Sequence, residues 1–136
     1  MVAFLEQVLG YYQNQTTRMF HADGQFMRSL SFIEPSPMPL VDYSDSKYRA
    51  IWNGIFRSAQ GELGVFIVNV GKQAINFSST MDLARHGMST QSVVDVDRIT
   101  PSAQTTPVHR GARGSVTLNG TIPGRSITMY HIKPVD

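Results

Sequence analysis

The sequence predicts a mainly β protein, an antiparallel β-sandwich of roughly seven to eight strands with one N-terminal α-helix. The 136 residues read as a single domain, 1–136, with the helix over 2–20 and the sandwich over 26–133. Three observations carry this. Residues 50–70, AIWNGIFRSAQGELGVFIVNV, hold two apolar, β-branched and aromatic runs around a polar segment with a glycine. That is the pattern of a hairpin whose loop exceeds two residues. Beyond it, short alternating runs recur at close spacing between turn residues, as an antiparallel sandwich requires. Before it, apolar residues repeat at three- and four-residue steps, the period of a helix.

In chain order, Phe4, Leu5, Val8, Leu9, Tyr12 and Met19 make the apolar stripe of the helix, which Val2 and Tyr11 widen. Gln7, Gln13, Asn14 and Arg18 are its wet side, and Gly24 is a reasonable stop. Residues 26–34, FMRSLSFIE, alternate as a first strand with Met27, Leu30 and Phe32 available for burial. Pro35, Pro37 and Pro39 cannot donate to a ladder, so an extended surface connection follows, ending in a short edge strand. In the second run of the hairpin, Leu63, Val65 and Ile67 face one way and Phe66, Val68 and Val70 the other. A strand apolar on both faces is covered on both, which places it centrally.

Gly71-Lys72 is a tight turn into a strand over 73–80 with Ile75 and Phe77 inward. Residues 81–88, MDLARHGM, read as one helical turn or an irregular excursion ended by Gly87. Residues 92–99 set Val94 and Val96 against Asp95 and Asp97 on opposite faces. Residues 101–114 read as turns with a short strand near 105–109. Residues 115–122 and 125–133 are expected to pair as a closing hairpin around Pro123-Gly124.

Composition excludes several classes. With 41% hydrophobic and 16% charged residues the chain is too apolar for disorder. A net charge of +2 from scattered bases is no nucleic-acid footprint. The absence of cysteine removes disulfides and thiolate metal sites. MVAFLEQVLGYY has no basic leader and soon turns polar, so neither a signal peptide nor a membrane span is visible, and the compartment stays open.

Four histidines, His21, His86, His109 and His131, sit singly, so no metal or cofactor is expected. Asp95 and Asp97 share a strand face; such a pair can bind calcium or act as acid and base, but a solvated face is the plainer expectation. Arg110-Gly111-Ala112-Arg113-Gly114 reads as an ordinary basic loop. Asn14, Asn76 and Asn119 head glycosylation sequons. Trp52, Tyr43 and Tyr48 are the aromatics to consider for sugar stacking, although packing is the default for Trp52 inside a strand.

The order of pieces resembles the C-terminal end of large bacterial glycoside-hydrolase-like proteins, where a TIM barrel is followed by an accessory β-sandwich. VAFLEQVLGYYQNQTTRMF is similar to the last barrel helix and HADGQFMRSLSF to the segment leaving the barrel. AIWNGIFRSAQGELGVFIVNVGKQAINFSST resembles the strand pair, MDLARHGM the excursion after it, and TLNGTIPGRSITMYHIKP the closing strands. In such proteins the catalytic carboxylates belong to the barrel, so the resemblance carries over no catalytic residue. It implies a non-catalytic accessory domain that works through protein–protein packing, with a TIM-barrel partner or as a homo-oligomer. Phe4, Leu5, Val8, Leu9, Tyr11 and Tyr12 are then expected near the contact. The alternative is a free-standing carbohydrate-binding module, which requires Trp52, Tyr43 and Tyr48 to be exposed. No nucleic-acid or membrane partner is expected.

Overall fold

A computed structural model describes residues 6, 7, 9–11, 24–27, 29–43 and 45–135. Among these residues, ten strands form antiparallel, sandwich-like sheets. They are β1 (Gln25–Met27), β2 (Leu40–Tyr43), β3 (Ser46–Arg49), β4 (Ile51–Arg57), β5 (Leu63–Asn69), β6 (Ile75–Asp82), β7 (Val93–Ile99), β8 (Thr105–Arg113), β9 (Ser115–Ile122) and β10 (Ser126–Val135). One layer is a six-stranded sheet in the order β1-β4-β5-β10-β7-β8. The other is the pair β6-β9, and β2-β3 is a separate hairpin.

The central hairpin stands where its pattern places it. β4 pairs β5 with Ile55 opposite Val65, and β5 is third in the six-stranded order. Leu63, Val65 and Ile67 are fully buried on its inner face. They meet Ile75, Phe77, Met81, Val116, Leu118 and Ile122 from the opposing layer in one cluster with Val94, Val96, Tyr130 and Ile132. Each such aliphatic side chain contributes roughly 1.5–3 kcal/mol by leaving water. On the outer face Phe66 packs edge-on against Phe56 and Tyr11, at ring separations of 6.0 Å each.

Three expectations are corrected. First, residues 115–122 and 126–135 are strands but do not pair with each other: β9 pairs β6, whereas β10 lies between β5 and β7. The Pro123-Gly124 turn therefore crosses between layers, because both faces of β10 are apolar and need the sheet's centre. Second, the strand expected over 26–34 divides. β1 joins β4, while Glu34 bridges Ser78 of β6. Between them Asn53 imitates a ladder partner, accepting from Leu30 N at 2.7 Å and donating to Leu30 O at 3.1 Å. The chain thus changes layers at a corner and buries Leu30 inside. Third, residues 105–113 form the full strand β8, so Arg110 belongs to a sheet edge and not to a loop. The 81–88 excursion is a 3-10 turn, Ala84–His86, closed by Gly87 at φ 83, where a side chain would be strained.

Of the helix expected over 2–20, residues 6, 7 and 9–11 are described and are helical; the rest lies outside the described residues. β7 ends at Ile99, just before Pro101, and this leaves Ile127 N without a ladder neighbour on that side. Gln7 Oε1 accepts from it at 2.9 Å. Tyr11 hydroxyl donates to Ile99 O at 2.8 Å, and Gly10 lies flush against Pro101. The docked side is thus Gln7, Gly10 and Tyr11, one helical face by the 7, 10, 11 spacing. Gln7, expected on the wet side, is a ladder substitute. Leu9, roughly 180–200° around a regular helix from Gln7, is 55% exposed.

Candidate functional site

An open cleft of about 890 Å3 lies at one end of the sandwich. Its walls are the β2-β3 hairpin, the start of β4, the β5-β6 turn and Arg125 of the β9-β10 turn. The hairpin register sets Val41 opposite Tyr48 and Asp42 opposite Lys47. Ala50 links hairpin to sheet, its N–H donating to Pro39 O and its carbonyl accepting from Val70 N, both at 2.8 Å.

The cleft floor depends on one side chain. Asn69 is fully buried at the end of β5. Its amide nitrogen faces the carbonyls of Gln73 at 2.8 Å, Ile122 at 3.1 Å and Pro123 at 3.2 Å, and its carbonyl accepts from Gly71 N at 3.0 Å. This ties the β5-β6 turn to the β9-β10 turn. Arg125 N–H donates to Gly71 O at 2.8 Å across the same seam. Arg125 sits at φ 51, in the left-handed region, which costs an L residue roughly 1–2 kcal/mol.

Of the aromatics considered for sugar stacking, the cleft brings together Trp52 and Tyr48, which are 49% and 45% exposed. Trp52 is therefore not packed away, the default for a tryptophan inside a strand. It stands at the second position of β4, on the face opposite buried Ile51 and Ile55, and its indole N–H is held by Arg49 O at 2.8 Å. Leu40 and Val70 add exposed apolar surface, and Asp42, Lys72, Gln73 and Arg125 supply polar groups. Tyr43 is described by its backbone alone, as the last residue of β2. An aromatic surface beside hydrogen-bonding groups can take a ligand with apolar C–H faces and polar edges. Of the residues expected near an intermolecular contact, Leu9 is exposed and Tyr11 is buried within the chain's own outer-face cluster. Phe4, Leu5, Val8 and Tyr12 lie outside the described residues.

A second polar feature lies on the outer face of the six-stranded sheet. Asp95 and Asp97 do share a face, but Asp97 is 4% exposed, so the expectation of a solvated pair fails there. Arg110 Nη2 approaches Asp97 at 2.7 Å, Lys133 Nζ lies 3.6 Å from it, and Gly111 N–H donates to Asp95 at 3.0 Å. His131, cross-strand from Asp97, has Nε2 3.4 Å from a Glu62 carboxylate oxygen. His86 and His109 bond backbone carbonyls of Asp82 and Thr117, at 2.9 and 2.7 Å. Among the described residues no cluster could hold a metal ion.

Burial pushes the His131 imidazole below its ordinary value, outweighing the upward pull of Glu62 and Asp97, while Lys133 adds to the depression. Between that lowered value and about pH 6.5 the unfolded chain binds more protons than the folded one, so stability rises with pH through this window. Urea midpoints are expected to fall from about pH 7.5 to about pH 5.5. His131→Gln should flatten that dependence; an unchanged slope in the variant would assign it to other groups.

No protein-family model matches the sequence, and no curated protein matches it. Among solved structures, the chain is similar to part of the GH51 arabinofuranosidase from Xanthomonas axonopodis pv. citri, at 18% identity and a TM-score of 0.42, over 70% of this chain and 21% of that one. It is also similar to part of a GH30 endoxylanase from Clostridium papyrosolvens C71, at 13% identity and a TM-score of 0.37, over 71% and 23%. A third likeness is to CelM2, a bifunctional glucanase-xylanase protein from a metagenome library, at 18% identity and a TM-score of 0.40, over 66% and 17%. The chain matches less than a quarter of the length of each of these enzymes.

Proposed function

We propose that this chain is a non-catalytic, carbohydrate-binding β-sandwich that holds a glycan in the cleft beside Trp52 and Tyr48. The observation that carries this is Trp52, a half-exposed indole near the start of β4, fixed through its N–H at the wall of an open cleft. Leaving so large an apolar ring in water has a cost that ligand contact recovers. The only carboxylate among the described lining residues, Asp42, faces Lys47 at 3.5 Å. Glycoside hydrolysis uses two carboxylates across the scissile bond, so the cleft suits binding without turnover.

Affinity electrophoresis through gels cast with soluble polysaccharides tests the reading. Retardation by at least one polysaccharide is expected, and Trp52→Ala should weaken it by about tenfold or more, the size of effect expected from an aromatic anchor. Because Trp52 is half exposed, the variant should keep a near-native thermal midpoint. Migration unaffected by every polysaccharide, or identical behaviour of Trp52→Ala, overturns the proposal.

A second reading, packing on another domain or self-association, is favoured by Leu9. The helix docks through Gln7 and Tyr11 and leaves Leu9 55% exposed. Light scattering on the same samples reads this directly, with a dimer or larger assembly as its expected result.

A further inference from the structure

The charges around the cleft are unbalanced. Its described lining includes Lys72, Arg125 and Asp42. Asp42 is engaged by Lys47 of the same hairpin at 3.5 Å. Among the described residues, neither Lys72 nor Arg125 has an acidic neighbour within ion-pair distance. The two cations come from different turns that the Arg125 N–H to Gly71 O bond holds side by side. Arg125 also occupies a left-handed backbone position, where glycine would be unstrained. Strain kept at a cleft wall points toward use of the side chain there.

We propose that the cleft prefers a glycan bearing carboxylates, a uronic-acid-containing saccharide. This rests on the carbohydrate-binding reading above. Trp52 and Tyr48 meet the C–H faces of the sugar rings, while Arg125 and Lys72 meet the uronate carboxylate. The planar guanidinium fork can engage both carboxylate oxygens, and the ammonium adds a point charge. Neutral sugars can accept hydrogen bonds from either cation but gain none of the charge attraction. Undirected attraction of a polyanion would not depend on the aromatic pair, and that separates the two cases.

The test is calorimetric titration of the whole chain with matched pairs of oligosaccharides: gluco-, galacto- and mannuronate oligomers and their carboxyl-reduced counterparts, with dextran sulfate as a sugar polyanion lacking carboxylates. The expected result is binding of at least one uronate series about tenfold or more tighter than its reduced counterpart. Lys72→Gln and Arg125→Gln should each remove most of that difference, weakening the uronate far more than the reduced sugar. Arg125→Lys should restore part of it. Trp52→Ala should weaken both members of the pair.

Equal affinity for acidic and reduced sugars, still dependent on Trp52, overturns the uronate preference and leaves the carbohydrate-binding reading standing. Dextran sulfate binding as tightly as the uronates also overturns the preference. No binding of any saccharide, or binding indifferent to Trp52, overturns both.

Discussion

Asn69→Ala is expected to cost the fold about 3 kcal/mol, because a buried group left without its hydrogen-bond partner loses about 1–3 kcal/mol. The fully buried Asn69 amide faces three carbonyls from two turns and accepts from Gly71 N. Alanine removes all of these at once. Asn69→Asp should be as bad or worse, since it turns a carboxylate oxygen toward carbonyl oxygens. Urea unfolding at unchanged m value measures the loss, and a midpoint shift equivalent to less than about 1 kcal/mol would mean that the seam holds by backbone contacts alone. Glycan binding should fall as well, because Asn69 positions both turns that carry Lys72 and Arg125.

Gly124→Ala is expected to be similarly damaging, for a steric reason. A Cβ there would overlap the carbonyl of Lys72 and come within 3.0 Å of Gln73 N, both backbone atoms that no rotamer change can move. The β5-β6 and β9-β10 turns would have to separate, breaking the Arg125 N–H to Gly71 O bond. Overpacking of this kind typically costs about 1–3 kcal/mol, and a backbone clash belongs at the upper end. Gly114→Ala is the control. Nothing lies within 4 Å of a Cβ there, so only its φ of 71 opposes the change. A Gly124→Ala protein as stable as the Gly114→Ala one would show that the turns can part cheaply.

These two substitutions act where sequence reading is weakest. An asparagine at the end of the run GVFIVN was a detectable signal, since a polar residue inside an apolar strand asks for partners. Which carbonyls it serves depends also on a turn more than fifty residues away in the chain. Asp95 and Asp97 were visible as a pair, yet the burial of Asp97 comes from Arg110 and Lys133 reaching it from neighbouring strands. Tyr48 and Trp52 were candidates by residue type. Their shared cleft follows from how the β2-β3 hairpin leans on the end of the sheet.

Local chemistry in the sequence determined much of the element content: alternation marked β4 to β7, β9 and β10, apolarity on both faces placed β5 centrally, and Gly87 ended the 3-10 turn. The tertiary structure alone decided which strands are neighbours. Strands β9 and β10, joined by a short turn, go to opposite layers because β10 buries Tyr130 and Ile132 on one face and Met129 on the other. It also decided which helical face docks. For the described helical residues, the Ile127 N–H bond to Gln7, the Tyr11 hydroxyl bond to Ile99 O and Gly10 flush against Pro101 set that choice. Periodicity reports how much apolar surface an element must hide, but pairing and docking depend on which partner leaves the fewest polar groups unmatched.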